Sequence, residues 1–168
     1  MAAQGGQKAT QFNWPILVRC ASFSCLLNRN VESMPIRQRY FSEHRLLVGV
    51  WAGTLSLEEV MAAPGEGIRL IGSDLGITLL ADLSGWDGHE LPLELALELF
   101  KVHQQVDPEG RVTREVLICS RQVFESATEF RSLAQDARLP ISLLTSARSA
   151  ALALDLPESL VAGLIAST

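Results

Sequence analysis

The sequence predicts an α/β fold: a mixed, mostly parallel β-sheet of about five strands with helices packed on it, in the order β-β-α-β-α-β-α-β-α. Three observations carry that prediction. Short apolar runs, LLVGVW, ITLLA, EVLIC and ISLL, alternate with longer segments of helical periodicity. The first two strand-like runs lie close together and read as a hairpin, whereas the later ones are spaced for crossover connections, which are right-handed as a rule. The helical segments open on recognisable start signals, a capping box at Ser56 and a proline at position 92.

The chain has 168 residues, of which 48% are hydrophobic and 20% charged, the balance of one folded domain able to bury a core. A formal charge of −5 leaves no global basic signal for nucleic acid. The three cysteines, Cys20, Cys25 and Cys119, are odd in number and irregular in spacing, which argues against a disulfide framework. The histidines, at 44, 89 and 103, are scattered, and no metal-ligand spacing is present. Cys119, inside VLIC, reads as a small core residue rather than a nucleophile.

Residues 1–33 differ from the rest. MAAQGGQKATQ is polar, and FNWPILVRCASFSCLL is interrupted by Pro15 and Arg19, too short and broken to span a bilayer. It is also a poor signal peptide. The expectation is a disordered extension over 1–33 followed by a domain over 34–168, cytoplasmic and without an integral membrane segment.

From Ile36 the pattern tightens. IRQRYF and Leu46 to Trp51 form the hairpin, with SEHR as its turn; Glu43 and His44 are read there as solvated turn residues. Ser56-Leu57-Glu58-Glu59 caps a helix that Pro64-Gly65 should break near Ala63, with a second helical piece from about Glu66 to Ile71. Ile77 to Ala81 reads as the central strand, covered on both faces. Asp82 to Leu91 then reads as a polar, glycine-rich loop, SGWDGHEL at its heart, ending where Pro92 opens the next helix.

That helix runs to about Val106. Glu94, Glu98, Lys101 and Gln105 form one polar stripe, and the apolar arc opposite is wider than a surface helix needs. The excess implies either deep packing or a subunit contact, so a homodimer is among the expected partners. Asp107-Pro108-Glu109-Gly110 is a turn, and Glu115 to Cys119 a strand. A helix from about Gln122 to Ala137 places Val123, Ala127, Phe130 and Leu133 on one stripe. Phe124 falls off that stripe, just past a strand end, at the edge where α/β proteins bind ligands. Ile141 to Leu144 is the last strand. A helix capped by Thr145 or Ser146 follows it, and then a short helical segment from Pro157.

Several of these pieces together are similar to a known family. Val50-Trp51-Ala52-Gly53-Thr54 with Glu58-Glu59 resembles a strand ending in glycine, a hydroxyl residue and an acidic helix start. Ala81-Asp82-Leu83-Ser84-Gly85 resembles an Asp-leading strand end, and EVLICSRQVFESATEFRSLAQDA the strand, loop and helix after it. Ile141 to Leu154 resembles a final strand with its alanine-rich helix, although an aliphatic residue stands where a Trp is often found. The set, covering Arg37 to Leu156, resembles STAS domains of the SpoIIAA-like branch, which are related in fold to CRAL-TRIO lipid-binding domains. The resemblance implies a regulatory protein-interaction module. One departure bears on function. The family's switch serine stands at the start of the helix after the Asp-leading strand, where a phosphate meets backbone amides and the helix dipole. Here that loop reads SGWDGHELP, with no Asp-Ser-Ser-Gly or Asp-Thr-Ser-Gly, and Ser84 lies too early. Ser84 is read as a local hydrogen-bonder, not a phospho-acceptor.

The function expected from the sequence is therefore a non-enzymatic binding module, with Asp82, Ser84, Trp86, Asp87, His89 and Phe124 as candidate binding residues and Trp86 as a partner anchor. No catalytic residue, cofactor or metal is assigned. The alternative is a carrier or sensor of a small apolar ligand or lipid, which the CRAL-TRIO relationship implies. An enzyme would have to draw on Asp82, Asp87, His89 and Glu90, without a nucleophile or a phosphate-binding loop among them.

Overall fold

The computed structural model describes residues 35–87, 93–136 and 139–168. The chain divides into the units Met1–Ser33 and Met34–Thr168. The first lies outside the described residues, and with it the expectation of a disordered extension.

The second unit is built on a five-stranded sheet whose strands lie side by side in chain order. β1 (Ile36–Phe41) and β2 (Leu46–Gly53) are antiparallel. A single 3-10 turn over Ser42–His44 joins them, closed by Arg45 in the left-handed region at φ 48°. Glu43 and His44 are exposed on this turn, as the sequence implies. From β2 onward every neighbour is parallel: β3 (Ile77–Trp86), β4 (Val112–Cys119) and β5 (Ile141–Leu144). The predicted mixed, mostly parallel sheet is thus present.

Alternation along the strands sorts the side chains onto two faces. Val48, Leu80, Val116 and Ile118 pack on one face against α4 (Ala147–Leu154) and α5 (Glu158–Ala166), which contribute Ala150, Ala151, Val161 and Leu164. Ala81, Leu83, Leu117 and Cys119 pack on the other against three helices. These are α1 (Leu57–Ile71), supplying Val60; α2 (Leu93–Val106), supplying Leu99; and α3 (Arg121–Asp136), supplying Val123, Ala127 and Phe130. Because the strands are added in one direction and all three crossover helices share a face, the three crossovers share one hand. The result is an α/β/α sandwich.

The caps are where the sequence placed them. Ser56 Oγ accepts from Glu59 N at 3.2 Å, and Glu59 Oε2 accepts from Ser56 N at 2.8 Å. Ser146 Oγ accepts from Ser149 N at 3.2 Å and starts α4. Asp107 holds the turn into β4, its two carboxylate oxygens accepting from the amides of Arg111 and Val112, each at 2.9 Å. Pro92, the expected first residue of α2, lies outside the described residues.

One expectation is corrected. Pro64-Gly65 does not break the first helix; α1 is continuous from Leu57 to Ile71 with Pro64 inside it. An interior proline costs about 3 kcal/mol through its missing amide and ring clash. Here Pro64 is itself buried, on the face that also buries Val60, Ala63, Gly67 and Ile71. Packing of that whole face offsets the local penalty, which a reading by propensity cannot weigh.

The final two helices are apolar and bent 117° from each other, and no single helix among the described residues is long and apolar enough to cross a membrane. Val161 and Leu164 are buried on the sheet, which accounts for much of the apolar character of α5.

Two substitutions test these assignments by denaturant unfolding. Leu80 is fully buried, and Leu80→Ala is expected to lower stability by about 2–5 kcal/mol. Ser56→Ala, which removes the cap, is expected to cost about 1 kcal/mol.

Candidate functional site

β3 continues through the residues expected to form a loop. It ends at Trp86, not at Ala81. The reason is tertiary. The upper part of β3 finds a partner in the end of β2, with Ala52 opposite Gly85 and Gly53 opposite Trp86, after a register shift between Val50 and Ala52. The pairing extends one residue further, Asp87 N donating to Gly53 O at 3.1 Å.

The candidate residues read from the sequence are placed as follows. Asp82 is half-buried, and its Oδ1 accepts from Ser84 N at 3.0 Å. Ser84 and Asp87 are exposed. His89 and Glu90 lie outside the described residues. Phe124, in the first turn of α3, is half-buried against the core beneath the helices. Trp86 is not the exposed tip of a loop. It ends the strand, half-buried, with its ring edge-on to Trp51 at 5.8 Å between centroids and 64° between planes. Of the candidates among the described residues, Trp86 alone lines the cavity described next.

That cavity lies between the sheet and α1, α2 and α3. It is a chamber of about 70 Å³ with an almost wholly apolar lining, Trp51 and Trp86 among its walls and His103 and Glu115 with them. A second compartment of about 50 Å³ shares Trp51, Leu79, Ala81, Leu99 and His103 with the first and adds Gln38 and Gly67. Small side chains leave this space. Ala81 of the sheet and Ala127 of α3 line the chamber, and Ala63 and Gly67 of α1 line the compartment beside it. A Cβ on Gly67 would lie 2.8 Å from Leu47 Cδ2, so the Leu47 side chain would have to shift to admit one. A more open groove of about 290 Å³, lined by Phe100, Gln104, Asp107, Thr113 and Leu139, meets His103 from outside. His103 therefore borders both compartments and the groove.

Among the described residues, His103 and Glu115 form the polar feature of the chamber. Nδ1 of His103 lies 3.4 Å from Oε1 of Glu115, and the side chains are 17% and 2% exposed respectively. That separation is long for a hydrogen bond, and Oε1 of Glu115 has no hydrogen-bond partner. Burial pushes the Glu115 carboxyl above its ordinary range, and the neighbouring His103 charge opposes that shift. Oε1 of Gln38, on the second compartment, is likewise buried and unbonded. Cys119 lies in the same core, and burial, with the Asp82 charge, pushes its thiol up to about 11, which makes it a poor nucleophile at neutral pH.

His103 and Glu115 were not singled out by the sequence, yet both carried a signal. His103 is four residues after Leu99 and three before Val106, on the apolar side of α2. Glu115 alternates with the inward-facing Leu117 and Cys119 and so points to the same face. A charged residue in phase with a buried stripe marks a buried ionisable group.

Comparison of the chain with protein-family models, with curated proteins and with solved structures finds no match.

The buried carboxyl has a consequence for stability. Below its ordinary value of 4.5, Glu115 is protonated in both the folded and the unfolded chain. As pH rises, the unfolded chain releases its proton first, while the folded chain must either keep the proton or bury a charge. Stability contributed by Glu115 thus falls as pH rises from the unfolded value through the raised folded one. Glu115→Gln carries no such proton. Its melting temperature relative to the parent chain is expected to increase as pH is raised from about 4 to about 8, and to differ least at the acid end. Thermal unfolding across that range checks the sign.

Proposed function

We propose that this protein is a non-enzymatic binding module of STAS-like architecture, and that what it binds is a small, largely apolar molecule held between the sheet and α1–α3. The observation that carries the reading is the chamber. It is apolar, it is walled by aromatic rings, and it places a buried carboxyl with an unbonded oxygen among those walls. A cavity with an apolar lining and a few convergent polar groups is the usual form of a small-molecule site.

Size narrows the class. An apolar cavity of about 150 Å³ accommodates benzene. The chamber and its neighbouring compartment, about 70 and about 50 Å³, are each smaller than that and only together approach it, so the space suits a short branched chain or at most a single small ring. A long acyl chain asks for far more room, so the ligand proposed here is compact rather than a lipid of the CRAL-TRIO kind.

The reading as a protein-interaction module had Trp86 as its anchor. With Trp86 turned against Trp51, that anchor favours the ligand reading instead. The family resemblance supports either role, since the element order on which it rests is present. A regulatory role follows if occupancy alters the surface formed by the ends of β2 and β3.

Two measurements test the ligand reading. Native mass spectrometry of the purified full chain reads whether a small molecule accompanies it. Intrinsic fluorescence then follows titration with benzene or toluene, because Trp51 and Trp86 line the chamber. Saturable change in emission is expected, together with its loss in Ala127→Leu, which puts a larger side chain into the space. A chain that co-purifies with nothing and responds to neither probe counts against the proposal.

A further inference from the structure

The polar chemistry of the chamber narrows its ligand further. Resting on the reading of the chamber as a ligand site, we infer that the ligand carries one hydrogen-bond donor on a compact apolar body, and that Glu115 is the group that accepts from it. A carboxyl has about four lone-pair positions, and an ionised one is an acceptor only. His103 approaches one oxygen of Glu115 at 3.4 Å, and that oxygen has no hydrogen-bond partner. Whichever of the two side chains holds the proton between Nδ1 and Oε1, the carboxyl keeps lone pairs for another donor. The 2% exposure of Glu115 puts bulk water out of reach. A buried acceptor left unmet is costly, so a donor delivered from within the chamber is favoured by the whole of that deficit.

The rest of the wall specifies the body of the ligand. Trp51, Trp86 and Phe130 are aromatic, and Leu83, Leu99 and Leu117 aliphatic, so these walls match a ring or a branched alkyl group. Gln38, with its own unbonded Oε1 on the second compartment, offers an additional acceptor for a ligand reaching that far. His103 lines the outer groove as well as these spaces and is the more exposed of the pair.

The test uses the full chain and three size-matched probes. Phenol carries a neutral donor, benzylamine a cationic one, and toluene none. Affinities are read by NMR titration on the parent chain and on Glu115→Leu and Glu115→Gln. At least one donor probe is expected to bind about tenfold or more tightly than toluene. Glu115→Leu is expected to bring the probes to within about threefold of one another, with toluene binding retained. Glu115→Gln, which keeps a carbonyl acceptor and loses the charge, retains a preference for phenol and loses one for benzylamine. Equal binding of all three probes to the parent chain overturns the inference and leaves the chamber standing as an apolar site. A donor preference that survives in Glu115→Leu overturns it as well. Binding of none of the probes removes both the inference and the ligand reading on which it rests.

Discussion

β3 is hydrogen-bonded along both edges, to β2 on one side and β4 on the other, and its register with those neighbours sets where every other element lies. Leu80 and Ala81, adjacent in sequence, face opposite cores, because neighbouring residues of a strand point to opposite sides. A slip of one residue would exchange the two cores and strand both helical layers. The parallel register with β2 also carries β3 past Asp82 to Trp86, and so places a tryptophan in the wall of the chamber instead of on a solvent-exposed loop.

The layer of α1, α2 and α3 does not fill the sheet face it covers. Small residues line the space on both sides, Ala81 from the sheet, Ala63 and Gly67 from α1, Ala127 from α3. Protein interiors are otherwise packed as densely as organic crystals, and unfilled space forfeits dispersion contacts. A buried carboxyl beside that space adds a second unfavourable feature, only partly relieved by His103. Two such features at one place are what a binding site is expected to show, because local departures from optimal packing and pairing concentrate where function needs them. The opposite face, under α4 and α5, is the contrast: Val48, Leu80, Val116 and Val161 are sealed there, and the buried polar side chain among the described residues, Glu115, lies on the other face.

Much of the fold was legible in the sequence because its signals are local. Apolar runs, alternation, the Ser56 capping box, the Ser146 cap and the Asp107 turn act within a few residues, and each was found near its expected position. The errors share a cause. Pro64 reads as a helix breaker until the burial of its whole helix face is known, and SGW reads as loop until β2 is seen to offer it a pairing edge. In both cases a long-range contact outweighed a local preference.

The sequence by itself determined the α/β class, the order of the elements and most of their caps, since periodicity and capping are encoded within a turn or two of the chain. The tertiary structure alone decided the site. Glu115 and His103 are 12 residues apart, on a strand and on the helix that precedes it, and nothing in their spacing announces a pair. They meet because a parallel crossover lays α2 back across β4, and the small residues of α1, α3 and β3 leave space beside them. Trp86 joins them for the same reason, carried inward by a strand whose final residues owe their conformation to β2.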